Sequence, residues 1–186
     1  MIMADTKKKK HRAYLDSFQK NEKGTYEYTG NVYQFQGTKD QENELRRELL
    51  KLWGLCTVLM GCLITAGCIS APGMDNCFYV LLPYTAALMA GISEFWALCR
   101  LTSGSDPLKE YVYEASVVKM PGRAVLTVSC IGMSMIGELV YICFHGIGEM
   151  MACFCIFVVM NFLAAASAIL MRRQIQGMTW EKYGNI

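Results

Sequence analysis

The sequence predicts an all-α integral membrane protein. It should be a four-transmembrane-helix bundle with both termini cytoplasmic and a short amphipathic cytoplasmic helix between spans 2 and 3. Three observations carry this prediction. First, four runs are long, apolar and almost free of charge: Leu52–Ala71 and Met150–Met171 hold no Asp, Glu, Lys or Arg, Cys77–Cys99 holds only Glu94, and Ala124–Phe144 only Glu138. About 20 apolar residues in a helix cross a hydrocarbon layer about 30 Å thick, so each run is long enough. Second, basic residues are confined to alternate connections. Of 18 Lys and Arg, 11 lie in residues 1–51, four in 100–123 and three in 172–186. Pro72–Asn76 and His145–Glu149 contain none. Cytoplasmic segments are the Lys- and Arg-rich ones, which places both termini and the middle loop inside. Third, the 186-residue chain is 53% hydrophobic with a net charge of +2. These averages conceal a polar chain joined to a spanning one, and a single soluble domain is excluded.

Residues 1–38 form a basic and aromatic N-terminal segment. Lys7, Lys8, Lys9 and Lys10 reinforce the orientation and are placed to touch anionic inner-leaflet lipid. Four lysines beside Asp5, Asp16, Glu22 and Glu27 do not specify nucleic acid. Tyr26, Tyr28, Val32 and Tyr33 favour strand, and Gly30-Asn31 could turn a hairpin. An isolated hairpin is marginal in water, so these aromatics need a surface to pack on.

Thr38-Lys39-Asp40-Gln41 fits a capping box and opens a helix expected from about Lys39 to about Ala71. The first span begins well inside the chain, so it reads as a retained helix rather than a cleavable signal. Pro72-Gly73 ends it. The transmembrane domain, residues 39–171, has spans at about 52–71, 77–99, 124–144 and 150–171. Pro83 should kink the second span. Ala86/Ala90, Ala87/Gly91 and Ala164/Ala168 are small-xxx-small pairs that allow close helix approach.

In the middle loop, Asp106-Pro107 suits a helix start. Leu108, Tyr111, Val112, Ala115 and Val118 then share one face of a helix that Pro121-Gly122 should stop. It rests on headgroups or docks a partner. Residues 172–186 are a cytoplasmic tail in which Trp180 and Tyr183 are expected at the interface.

Glu94 and Glu138 are the most informative residues, because an ionisable group inside a span is costly and is commonly paired or functional. Helical rise puts Glu94 about 9 Å towards the cytoplasm from the midplane and Glu138 about 6 Å towards the outside. They belong to separate polar layers, with Thr57, Ser129 and Ser167 expected near Glu94, Thr65, Tyr84 and Thr85 near Glu138, and Asn161 closer to the midplane. No span contains a basic residue, so a neutral carboxyl bonded to hydroxyls is one expectation. A station for a proton or cation is the other.

The nine cysteines include no Cys-x-x-Cys, and buried Cys commonly acts as a small apolar residue. One outer-side disulfide is possible among Cys68, Cys77, Cys143 and Cys153. His11 and His145 lie on opposite sides, so zinc is not expected. No phosphate-binding loop or nucleophile motif is present, and no cofactor or catalytic residue is implied. The outer loops are too short for an ectodomain.

The leading functional expectation is a non-enzymatic accessory or binding subunit of a larger membrane assembly. Its docking candidates are Tyr26, Tyr28, Tyr33, Phe35, Leu108, Tyr111, Val112 and Ala115. The alternative is a small proton- or cation-coupled transporter or channel using the intramembrane carboxylates. Partners are then the bilayer and a membrane protein or a second copy. The tiny outer loops suit a bacterial cytoplasmic membrane.

Overall fold

A computed structural model describes residues 18–20, 26–37, 41–69, 71–104 and 107–185. Lys7–Lys10, the capping-box residues Thr38 and Asp40, and the helix-starting Asp106 lie outside the described residues.

Among the described residues, four helices are long and apolar enough to cross a membrane. They are α1 (Gln41–Cys68), α2 (Phe78–Ser103), α4 (Met120–His145) and α5 (Met151–Gly177). A short α3 (Glu110–Tyr113) precedes α4. The four long helices pack in a ring, with α1 beside α2 and α5, and α4 beside α2 and α5. Leu52, Leu59, Leu63, Leu98, Ile131 and Phe157 fill the centre. Leu82, Met89, Trp96, Met133, Ile136 and Phe162 are exposed on the outside, the inverse of a soluble bundle's surface.

Two of the three small-residue pairs are buried inside the bundle, whereas Ala86 of the Ala86/Ala90 pair is exposed. Ala87 and Gly91 are buried, and a Cβ at Gly91 would lie 3.1 Å from Leu63 of α1. Ala164 and Ala168 are fully buried. Helix α2 continues through Pro83, whose missing N–H leaves the Tyr79 carbonyl without its usual helical donor. Gly137 of α4 sits against that carbonyl, where a Cβ would come within 2.9 Å of the oxygen.

One end of the bundle carries a cap of strands. They are β1 (Phe18–Lys20), β2 (Tyr26–Tyr28), β3 (Asn31–Phe35), β4 (Leu108–Lys109) and β5 (Trp180–Asn185). β1 and β2 pair antiparallel. A second sheet has the order β4-β3-β5, with Tyr33 opposite Leu108 on one side and Lys182 on the other. The N-terminal segment, the middle loop and the C-terminal tail therefore meet in one sheet.

The cap corrects three expectations. Gly30-Asn31 turns the chain but forms no β2–β3 hairpin, since the flanking strands belong to different sheets. Tyr28 folds over Gly30 and donates its hydroxyl to the Asn31 carbonyl, 3.1 Å away, occupying the space a side chain at position 30 would need. The middle loop is not a separate amphipathic helix stopped at Pro121. Leu108 lies in a strand, and α3 runs through a π-helical turn (Glu114–Val118) towards α4. Pro121 stands in the first turn of α4, where its missing N–H interrupts nothing. The tail continues α5 to Gly177 and then becomes β5, with Trp180 half-buried against Phe35 and Tyr113.

Candidate functional site

Two buried carboxylates and the cap are the places where polar chemistry concentrates. Glu138, on α4, is fully buried. Its two oxygens lie 3.0 and 3.2 Å from the backbone N–H of Gly73, which donates to them. Gly73 belongs to the turn between α1 and α2, and Ala71, Pro72, Gly73 and Met74 are all buried. That turn folds back onto the bundle, and Glu138 holds it from inside. A Cβ at Gly73 would come within 2.5 Å of the carboxylate, so glycine is what allows the approach.

Glu94, on α2, is also fully buried. Its Oε1 accepts from the Thr127 hydroxyl at 2.5 Å, whereas Oε2 has no hydrogen-bond partner among the described residues. The same Thr127 hydroxyl lies 3.1 Å from the Arg123 carbonyl. Arg123 donates to the Ser93 carbonyl at 3.0 Å. Among the described residues, no Lys or Arg forms an ion pair with Glu94. Cys56 is buried nearby. The 11 residues from Thr127 to Glu138 span about 16 Å along α4, so the carboxylates occupy separate layers as the spacing predicts.

The other polar candidates are dispersed. Thr57 and Ser129 are exposed, and Thr57 donates back to Trp53 of its own helix. Ser167 donates to Leu163 and Thr65 to Gly61, again within one helix. Tyr84 is buried and donates to the Leu63 carbonyl of α1, tying two helices together. Asn161 is buried, with Nδ2 donating to the Phe157 carbonyl and Oδ1 unpartnered. Sequence reading missed Gly73 and Thr127 as partners of the two acids. Pro72-Gly73 signals a helix end, but nothing local shows that the following turn will reach a carboxylate on α4.

The aromatic candidates converge. Tyr33 stacks on Tyr113 with ring centres 4.1 Å apart. Tyr28 packs edge-on to Tyr111 at 6.1 Å and accepts from the Glu110 N–H. Asn31 donates to the Glu110 carboxylate at 3.1 Å. Phe35, Leu108 and Val112 are buried and Ala115 is half-buried, while Tyr26 remains exposed. Burial, then the negative charge of Glu110, pushes the Tyr33 phenol above its ordinary range. The two segments expected to dock partners are largely turned onto each other.

Beside the cap, α1, α5 and the β3–β5 edge enclose a groove of about 930 Å³. Arg47, Glu48, Lys51, Arg173 and Gln174 line it, together with Glu44 and Phe35. Glu48 binds Lys51 at 2.7 Å and accepts from Gln174. Among the described residues, neither Arg47 nor Arg173 forms an ion pair.

All nine cysteines are free thiols. Among the described residues, no group of three His, Cys, Asp or Glu is placed to hold a metal ion. No family model, curated protein or solved structure matches the chain.

Proposed function

We propose that the chain is an integral protein of a cytoplasmic membrane, with both termini and the middle loop inside. In this reading it is a non-enzymatic accessory or binding subunit of a larger assembly. The observation that carries the reading is the composite cap. Three separate polar segments combine into one platform, and beside it lies a charged groove whose Arg47 and Arg173 are uncommitted. The apolar docking candidates are largely consumed in building this platform. Recognition therefore passes to the groove and to the outer edge of β5, where Glu181, Lys182 and Tyr183 are exposed.

Purification of the tagged chain from its native host in mild detergent tests this. The expected result is a partner in fixed stoichiometry that is lost from Arg47→Glu while that variant melts like the unaltered protein. A homogeneous homo-oligomer with pH-dependent flux in liposomes would instead establish the transporter. That second reading has its own support in the unpartnered Glu94 Oε2, a buried acceptor in the bundle core. Orientation has a separate test. Reporter fusions near Asp75 and Ile147 should read as external, and those at either terminus as internal. A cytoplasmic readout at Asp75 or Ile147 overturns the topology.

A further inference from the structure

We propose that the cleft between α4 and α5, at the capped end, binds an anionic phospholipid. This rests on the membrane reading above. The cleft has a volume of about 400 Å³ and two unlike halves. Val125, Val128 and Ile169 form an apolar wall, while Arg172, Arg173 and Gln176 gather at its mouth. The wall is open to the outside: Val125 is 42% and Ile169 43% exposed. It continues onto the exposed apolar flank of the bundle at Leu126 and Leu170. An amphiphile suits this division, with an acyl chain along the wall and its headgroup at the mouth.

Charge selects the headgroup. Arg172 and Arg173 are exposed, and among the described residues neither is neutralised by an ion pair. Among the described residues, no acidic residue lines the cleft. Guanidinium groups bind phosphate oxygens through paired N–H donors. Gln176, and Ser129 just below, add neutral hydrogen-bonding groups for the glycerol region. Basic clefts between spanning helices are suited to acidic headgroups. A zwitterionic lipid would set its own ammonium group beside the two arginines. A soluble anion would leave the apolar wall uncovered. The site is distinct from the lysine run at residues 7–10.

The test uses the full chain, depleted of lipid in neutral detergent and melted in mixed micelles. Dioleoyl phosphatidylglycerol is expected to raise the melting temperature by about 5 °C over dioleoyl phosphatidylcholine. Arg172→Gln/Arg173→Gln should lose most of that difference. Arg46→Gln/Lys119→Gln, an equal charge loss outside the cleft, should retain it. Val125→Trp fills the cleft without altering charge and should also lose it. Three results overturn the proposal: no difference between the lipids, equal losses in both charge-reduced variants, or full stabilisation of Val125→Trp. Equal stabilisation by glycerophosphoglycerol, which has no acyl chain, would make the ligand a soluble anion instead. Extraction of the chain by alkaline carbonate without detergent would overturn the membrane reading independently of these melts.

Discussion

Glu138→Leu is expected to destabilise the bundle by about 2 kcal/mol, the cost of leaving a buried amide without an acceptor. The amide is that of Gly73, which both Glu138 oxygens now satisfy. Leucine fills much of the space but accepts nothing. Glu138→Gln retains one acceptor oxygen and should keep most of the stability. Gly73→Ala attacks the same contact from the other side, because its Cβ would meet the carboxylate at 2.5 Å and Val80 at 3.0 Å. The double variant Gly73→Ala/Glu138→Leu should therefore lose less than the sum of the single losses, since both remove one interaction. Thermal unfolding in a neutral detergent compares all four variants with the unaltered protein. Protease nicking near Asp75 should rise in Glu138→Leu, because that exposed residue follows directly on the held turn. Unchanged stability of Glu138→Leu would show that the bundle does not depend on this clasp.

The contrast between the spans and the cap shows what was legible in the sequence. Leu52–Ala71 needs only its own composition to read as a spanning helix, because hydrocarbon length and backbone hydrogen bonding are satisfied within one segment. The separate layers of Glu94 and Glu138 likewise follow from helical rise along known spans. The cap depends on pairing between distant segments. Val32 faces Lys109, and Phe35 faces Trp180, and no local pattern announces either partner. Leu108, Tyr111, Val112 and Ala115 have helical spacing, yet pairing with β3 draws Leu108 into a strand. The candidate site divides in the same way. Both acids stand out as charges inside apolar runs, whereas their partners Gly73 and Thr127 emerge only when helices and turns are assembled. Thr57 and Ser129 have the right height but the wrong helical face, a distinction that depth alone does not make.

The opposite outcome is expected at Glu94. Glu94→Leu should leave the stability unchanged or raise it by about 1 kcal/mol, because a buried acceptor without a partner weakens a fold. Glu94 Oε2 is such an acceptor. Removing the carboxyl creates no new orphan: the Thr127 hydroxyl can turn fully to the Arg123 carbonyl, 3.1 Å away. Arg123 keeps its bond to Ser93. Leucine is close to glutamate in volume, so the packing of α2 on α4 should survive. Glu94→Gln preserves the acceptor for Thr127 but buries an amide NH2 donor without a partner, and should be no more stable than Glu94→Leu. The same melts used for Glu138 decide this, and a loss above about 2 kcal/mol in Glu94→Leu would make Glu94 a structural clasp like its counterpart. With the expected sign, a carboxyl that weakens the bundle core points to a role other than packing. Liposome flux then separates the two functional readings. If both Glu94 variants fold and bind the partner of the unaltered chain, the accessory role stands. If both fold and lose pH-dependent flux, Glu94 is the proton or cation station and the transporter reading takes its place.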